Sequence, residues 1–119
     1  MNSVTVKELM DKVQAFCAER DWDQFHNPKD LAIGISTEAN ELLDIFRFKS
    51  GEQMKELFED ADKSEHINEE IADTLFFILR FAQMNNIDLE RALDNKLEKN
   101  ERKYPVDKVK GKNLKYTEI

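Results

Sequence analysis

Apolar residues recur every three or four positions along most of the chain, which is the spacing of an amphipathic helix. A capping-box pattern at Thr5 and Glu8 predicts a first helix over residues 6–20, because each of these side chains can bond the other's backbone N–H. Asn27, followed by a proline and an acidic first turn, predicts a second helix over residues 28–48. The chain therefore opens with two helices joined by a short linker.

The rest of the chain predicts two more long helices. Residues 49–63 are polar and begin near a Ser-Gly breaker pair, so we expect a long connection that contains one short helix. Ser64 and Asp88 are the predicted N-caps of a third helix ending near residue 84 and a fourth ending at residue 104. The predicted division is a helical domain, residues 1–105, and a lysine-rich tail, residues 106–119, that is extended or partly ordered.

The second half of the third predicted helix is apolar nearly all round, from Leu75 to Ala82. A helix of that kind must be covered on more than one side. A domain of 119 residues has few elements with which to cover it. We therefore expect part of this surface to be buried against another copy of the chain, giving a dimer or a larger homo-oligomer.

Composition narrows the class of protein. Glycine and proline are scarce, at 3 and 2 residues, and charged residues make up 36%, which favours an all-α fold with solvated outer faces. A net charge of −7 argues against a nucleic-acid-binding surface. The single cysteine, Cys17, cannot form an internal disulfide, and the sequence shows neither a membrane-spanning apolar run nor a signal-peptide core. We expect a soluble cytoplasmic protein of one domain.

Two pairs of carboxylates are the candidate chemistry of the chain. Glu38 and Glu41 lie on the second predicted helix, and Glu70 and Asp73 lie on the third, so each pair shares one face of its helix. Antiparallel packing of the two helices would bring the pairs level. Four carboxylates placed among apolar residues repel one another and lose hydration. Such an arrangement is tolerable only if cations lie between them. The spacing alone is common in so acidic a chain, so the apolar setting and the matched height carry the prediction of a metal site.

The type of ligand indicates which metal this site would take. Carboxylate oxygens are the ligands that Mg²⁺ prefers, with Mn²⁺ as a substitute. A di-iron bundle would instead need a histidine three residues after a glutamate, and neither His26 nor His66 has a glutamate at that position. The predicted cofactor is therefore Mg²⁺.

These motifs resemble those of the MazG-like all-α nucleoside triphosphate pyrophosphohydrolases, in which Glu-x-x-Glu is followed after a variable gap by Glu-x-x-Asp. The resemblance is closest to the dCTP pyrophosphatase branch and covers the chain from about Val6 to Glu118. It is carried by the stretches Ala18–His26, Glu38–Leu42, Glu69–Asp73, Lys96–Asn100, Arg102–Pro105 and Lys115–Glu118. The resemblance implies a four-helix bundle core, a homo-oligomer, and Mg²⁺-dependent hydrolysis of a deoxynucleoside triphosphate, dCTP-like or other, to the monophosphate and pyrophosphate for nucleotide-pool sanitation.

The same resemblance implies roles for individual residues. The catalytic magnesium ligands it implies are Glu38, Glu41, Glu70 and Asp73, with Glu69 beside them as a candidate for a further ion or for orienting water. The residues it implies for the nucleotide are Trp22 and Phe48 as aromatic walls around the base, Lys96 and Lys103 on phosphate, and Asn100 and Tyr104 on sugar or base. Phe48 stands where this branch usually has tryptophan, and Val13 where close relatives have histidine. For His26 a structural role and a substrate contact are equally open.

Two other classes of function stay open from the sequence. A non-catalytic helical interaction module would use the four acids as a surface for a partner. A metal-dependent hydrolase of another diphosphate compound would use the same acids as metal ligands. Release of pyrophosphate in the presence of Mg²⁺ separates the first class from an enzyme, and a panel of nucleotides separates the second.

Overall fold

The regular structure in the described part of the chain, residues 3–119 of a computed structural model, is helical throughout. The elements are α1 (Val6–Glu19), α2 (Pro28–Phe46), α3 (Gly51–Glu59), α4 (Ala61–Met84), α5 (Leu89–Lys103), α6 (Val106–Val109) and a final 3₁₀ turn (Tyr116–Glu118). The predicted all-α fold is confirmed.

Side chains that cap helices explain where most of these helices begin. The Thr5 hydroxyl accepts a bond from the Glu8 backbone N–H at 3.1 Å, which completes the predicted capping box. The Asn27 side-chain oxygen accepts from the backbone N–H of Asp30 at 2.9 Å and sets the start of α2. Asp88 does the same for α5. These three predicted starts are confirmed to the residue.

The start of the third long helix was predicted wrongly. Asp60, not Ser64, is the N-cap of α4, and its carboxylate accepts from the backbone N–H of Lys63 at 3.0 Å. Asp60 is also the C-cap of α3, so the two helices meet at one residue. The predicted connection over residues 49–63 is consequently almost all helix, and Ser50 with Gln53 forms a second capping box at its start.

The chain forms two compact units, and the first, whose described part is residues 3–86, holds α1 to α4. In it α4 packs against α1, α2 and α3. Helices α2 and α4 run antiparallel, because Gly34 lies against Phe77 while Glu41, farther along α2, meets Glu70, earlier on α4. A Cβ at Gly34 would lie 2.6 Å from the Phe77 ring, so the absence of a side chain permits this close contact.

The core of this unit is small for the amount of apolar side chain that it carries. Apolar residues that are buried in the described chain are Cys17, Leu31, Leu57, Ile67, Leu79 and Ala82. Large apolar residues of α2 and α4 that stay exposed are Ile33, Leu43, Ile71 and Leu75, at 43–62%. The expectation that another copy covers such a surface remains a prediction.

The second unit, residues 87–119, holds α5, α6 and the 3₁₀ turn. Tyr104, the C-cap of α5, meets the Tyr116 ring edge-on with centroids 6.2 Å apart, and the Lys103 ammonium lies 4.9 Å from the centre of the same ring. These contacts fold residues of the tail back on the end of α5. No helix in residues 3–119 has the length and apolar character needed to cross a membrane.

Candidate metal centre

Three carboxylates from two helices converge in the first unit. Glu38 and Glu41 come from successive turns of α2, and Glu70 comes from the facing turn of α4. Each offers one oxygen, and these oxygens all lie within 4.8 Å of one another. Glu70 is 9% exposed, Glu38 is half-buried, and Glu41 is exposed. The predicted pairing of the two acidic motifs across the helix pair is therefore present for three of the four acids.

Two oxygens of this cluster are buried without a partner. Glu38 Oε2 and Glu70 Oε2 are the buried side-chain atoms of residues 3–119 that have no hydrogen bond. A buried carboxylate oxygen with no donor is costly, and native structures rarely leave one unpaired. Since the ligands are all carboxylate oxygens, the cluster fits Mg²⁺ or Mn²⁺ as the missing partner.

The electrostatics of the cluster agree with this need for a cation. Burial, together with the neighbouring Glu41, raises the pKa of Glu38 to about 7. Burial also raises the pKa of Glu70, again with help from Glu41, while His66, whose Nδ1 lies 3.9 Å from Glu70 Oε1, opposes the rise. The raised pKa values favour the protonated carboxyls of Glu38 and Glu70, so binding of a divalent ion there would displace protons.

Asp73 lies at the border of this cluster. It is exposed on α4, one turn after Glu70, and is not among the three residues whose oxygens converge. Its negative charge nevertheless raises the pKa of both Glu38 and Glu70. Its role as a fourth ligand remains a prediction.

A cleft that the sequence did not predict opens beside the carboxylates. It has a volume of about 680 Å³ and lies among α2, α3 and α4. Glu41 and Glu70 line it, together with the basic side chains of Lys49, Lys63 and His66. Cavities of this size hold small molecules. No sequence signal marked it, because its walls come from three helices and the predicted connection was not expected to be so helical.

The two aromatic residues predicted to flank a base are not neighbours in one chain. Trp22 meets Phe16 edge-on at 5.7 Å, and Phe16 in turn meets Phe76, which lies in the half of α4 that faces the start of α2. Phe48 follows the other end of α2, is 88% exposed, and has a positive φ of 65°. At about 1.5 Å per helical residue, roughly 15 Å or more separates the two rings. A single copy therefore cannot clamp one base between them.

The remaining predicted contacts lie in the second unit. Lys96, Asn100 and Lys103 belong to α5, and Tyr104 caps its end. Lys96 and Lys103 are exposed, whereas Asn100 and Tyr104 are partly buried. Their roles toward a nucleotide remain predictions.

A buried arginine fastens the linker between α1 and α2 onto α4. Arg80 is 1% exposed and donates to Nδ1 of His26 at 2.9 Å, to Gln83 Oε1 at 2.6 Å and to Asp23 Oδ1. The linker that carries Trp22 is thus tied to the same helix as Glu70. The sequence alone did not indicate this role for Arg80, since its partners on the linker lie more than fifty positions away.

Comparison with known proteins finds similar sequences and a similar structure. The MazG-like family model matches residues 33–119. The chain is 31% identical over 115 residues to dCTP pyrophosphatase 1 of Rattus norvegicus, covering 97% of this chain and 68% of that protein. It is also 31% identical over 116 residues to dCTP pyrophosphatase 1 of Homo sapiens, with the same coverage of 97% and 68%. A crystal structure of a pyrophosphatase from Archaeoglobus fulgidus matches with a TM-score of 0.78 and 38% identity, over 88% of this chain and 96% of that chain.

Proposed function

The chain belongs to the MazG-like family, and from this premise we propose that it hydrolyses a deoxynucleoside triphosphate, dCTP or a close analogue, to the monophosphate and pyrophosphate. Its relatives are named as pyrophosphatases, and the chain is an enzyme of the nucleoside triphosphate pyrophosphatase class. The observation that supports this chemistry in the chain itself is the cluster of Glu38, Glu41 and Glu70, with two buried oxygens that have no partner. The proposed setting is the cytoplasm, where the enzyme would act on the nucleotide pool.

The residues that would hold divalent ions are Glu38, Glu41 and Glu70, with Asp73 at the border of the group. Ions bound there would neutralise the triphosphate and lower the pKa of an attacking water. Glu70 is buried and Glu38 is half-buried, so packing fixes their carboxylates between α2 and α4 before substrate arrives.

Glu41 is placed to assist the attacking water directly. It is exposed and lines the 680 Å³ cleft, so its carboxylate can accept a proton from a water that attacks the α-phosphorus. The new phosphorus–oxygen bond forms as the bond to the bridging oxygen breaks, and pyrophosphate leaves. No protein nucleophile is required, and Cys17 is unsuited to be one because it is fully buried and burial raises the pKa of its thiol.

The nucleotide contacts are proposed on the pattern of the sequence. Trp22 offers a partly exposed ring for stacking on the base, and Lys96 and Lys103 offer charges for the phosphates. Asn100 and Tyr104 are proposed for the sugar or base. Because Phe48 is remote from Trp22 in one chain, its proposed place beside a base requires a base bound by a second copy.

We also infer that copies of the chain associate. The support is the exposed apolar surface of α2 and α4, which includes Leu43 at 62% and Ile71 at 52%. Sedimentation equilibrium measures the oligomeric state, and a monomer at micromolar concentration would contradict this inference.

A panel of nucleotides tests the proposed function. Release of pyrophosphate is measured for the four deoxynucleoside triphosphates at equal concentration, with Mg²⁺, with Mn²⁺ and with a chelator. We expect turnover only with a divalent ion and fastest with dCTP. The same assay is run on Glu41→Gln and Asp73→Asn, which should abolish turnover and leave the helical circular dichroism intact, with Glu65→Gln on the exposed part of α4 as the control.

Three results would count against the proposal. A protein that releases no pyrophosphate from any nucleotide would be a helical interaction module instead. Full activity in Glu41→Gln and Asp73→Asn would place the chemistry elsewhere. Turnover that is equal with the metal and with the chelator would remove the role of the carboxylate cluster.

A further inference from the structure

The contact between Arg80 and His26 fixes which nitrogen of the imidazole carries a proton. Arg80 Nε donates to His26 Nδ1 at 2.9 Å. A guanidinium has donors and no acceptor, so the nitrogen that faces it must be unprotonated. The neutral ring therefore carries its single proton on Nε2, which makes that edge a hydrogen-bond donor.

The surroundings hold His26 in this state. Arg80 is itself held by Gln83 and by Asp23, and it is 1% exposed, so it has little freedom to turn away. Burial lowers the pKa of His26, and the charge of Arg80 lowers it further, although Asp23 acts in the opposite direction. The ring is thus neutral, fixed in position and fixed in tautomer.

The His26 ring lies beside the predicted stacking ring, and its Nε2 donor is free. The His26 and Trp22 centroids are 6.0 Å apart, with planes at 59°. His26 Nε2 makes no hydrogen bond within residues 3–119, and it is not among the buried atoms that lack a partner, so solvent reaches it. A free donor on the ring next to a partly exposed tryptophan can bond the edge of a flat base that stacks on the tryptophan.

The distance to the carboxylates suits a nucleotide. Arg80 lies ten residues after Glu70 on α4, about 15 Å along the helix axis. The linker that carries His26 and Trp22 is therefore about the length of an extended nucleoside triphosphate away from the acids that would hold the phosphates. A substrate with its phosphates at Glu38 and Glu70 can place its base on the linker.

We propose that His26 is a specificity-determining residue, whose Nε2–H donates to an acceptor on the edge of the base stacked on Trp22, with Arg80 as its positioning residue. This inference rests on the proposed function. A donor at this position can bond a ring nitrogen or a carbonyl oxygen, such as cytosine N3 or O2, and disfavours an edge that presents only an amino group.

Kinetics with and without a base test the contact. His26→Phe keeps a flat ring and removes the donor. We expect the KM for dCTP to rise about five- to thirtyfold in this variant, which corresponds to one lost hydrogen bond of about 1–2 kcal/mol. The KM for deoxyribose 5′-triphosphate, which has no base, should stay unchanged. His66→Phe is the matched control, because His66 lines the cleft near Glu70 and should affect both substrates alike.

Nitrogen NMR on the wild-type protein tests the same idea without a substitution or turnover. The ¹⁵N shifts of His26 should show Nδ1 unprotonated and Nε2 protonated, and addition of dCMP should shift the Nε2–H signal. In Arg80→Lys, which retains a donor, the tautomer should persist, whereas Arg80→Met should release it and raise the KM for dCTP.

The outcomes separate this inference from the proposed function. Equal increases in KM for dCTP and for the base-free triphosphate would overturn it, because His26 would then be structural. A proton on Nδ1, or an Nε2–H signal that ignores dCMP, would also overturn it. If wild-type protein hydrolyses no nucleotide, the proposed function fails, while a response of His26 to dCMP would still support the contact.

Discussion

Replacing Glu38 by glutamine should stabilise the metal-free protein while abolishing catalysis. Burial, aided by Glu41, raises the pKa of Glu38 from 4.5 to about 7. Between those values the folded chain keeps a proton that the unfolded chain has lost, so stability falls as the pH rises from 4.5 through 7. At about 1.4 kcal/mol per pKa unit, the loss is at most about 3.5 kcal/mol. Since the side chain is only half-buried, water screens it, and we expect about 1–2 kcal/mol.

Urea unfolding in a chelator, at pH 5 and at pH 8, measures this effect. The free energy of unfolding of the wild-type protein should fall by about 1–2 kcal/mol between the two values. Glutamine cannot ionise, so Glu38→Gln should fall less and be the more stable protein at pH 8. Glu65→Gln removes a carboxylate from an exposed position of α4 and should follow the wild-type protein.

Binding of Mg²⁺ should raise the free energy of unfolding. At one hundred times its dissociation constant, an ion that binds only the folded state adds about 2.7 kcal/mol of stability. The wild-type protein should gain this amount at pH 8, and Glu38→Gln should gain much less. If both proteins showed the same pH dependence and the same gain from Mg²⁺, Glu38 would not belong to a cation-binding cluster, and the reasoning from its buried oxygen would be refuted.

Three further predictions address packing, capping and substrate binding. Gly34→Ala should lower the free energy of unfolding by about 1–2 kcal/mol, because the added Cβ meets a ring at 2.6 Å, whereas Gly51→Ala, with nothing within 4 Å, should be neutral or stabilising in urea unfolding. Asp60→Ala should cost about 1 kcal/mol in the same assay and Ser64→Ala much less, since only Asp60 caps α4; equal losses would contradict the assignment of the cap. Tyr104→Ala should raise KM for dCTP more than it lowers kcat in steady-state assays; the reverse pattern would put Tyr104 in the chemistry.

Much of the fold could be predicted because its signals are local. Thr5, Asn27 and Asp88 each bond a backbone N–H three residues onward, so the sequence alone contains both partners. The convergence of Glu41 with Glu70 was also within reach, since helical spacing and antiparallel packing need only approximate helix ends. Asp60 and Ser64 are both suitable N-caps, and spacing alone cannot show which of them begins α4. The start of α4 depends on where α3 ends, and the end of α3 depends on tertiary packing.

The parts of the candidate site that could not be predicted depend on contacts between distant segments. In the sequence Arg80 is a single charged residue within an apolar run. In the structure it is buried and bonds Asp23 and His26 of the linker. Trp22 and Phe48 were expected as two walls of one pocket because the resemblance supplied roles and not positions. The predicted helix over residues 28–48 already lay between them, and the structure keeps them beyond the opposite ends of α2.

Asp60 joins α3 to α4 with no residue to spare, and this has a consequence for how the cleft can diversify. The direction of α3 depends on one pair of dihedral angles, φ −88° and ψ 124°, and α3 contributes Leu57 to the cleft wall. Insertion of a single residue that lengthened α4 by one helical position would carry the end of α3 about 100° around the α4 axis, since a helix has 3.6 residues per turn. Leu57 would then leave the cleft wall, while Glu38, Glu41 and Glu70 stayed in place. One inserted residue at this junction would thus change the shape of the cleft and leave the metal-binding carboxylates in place.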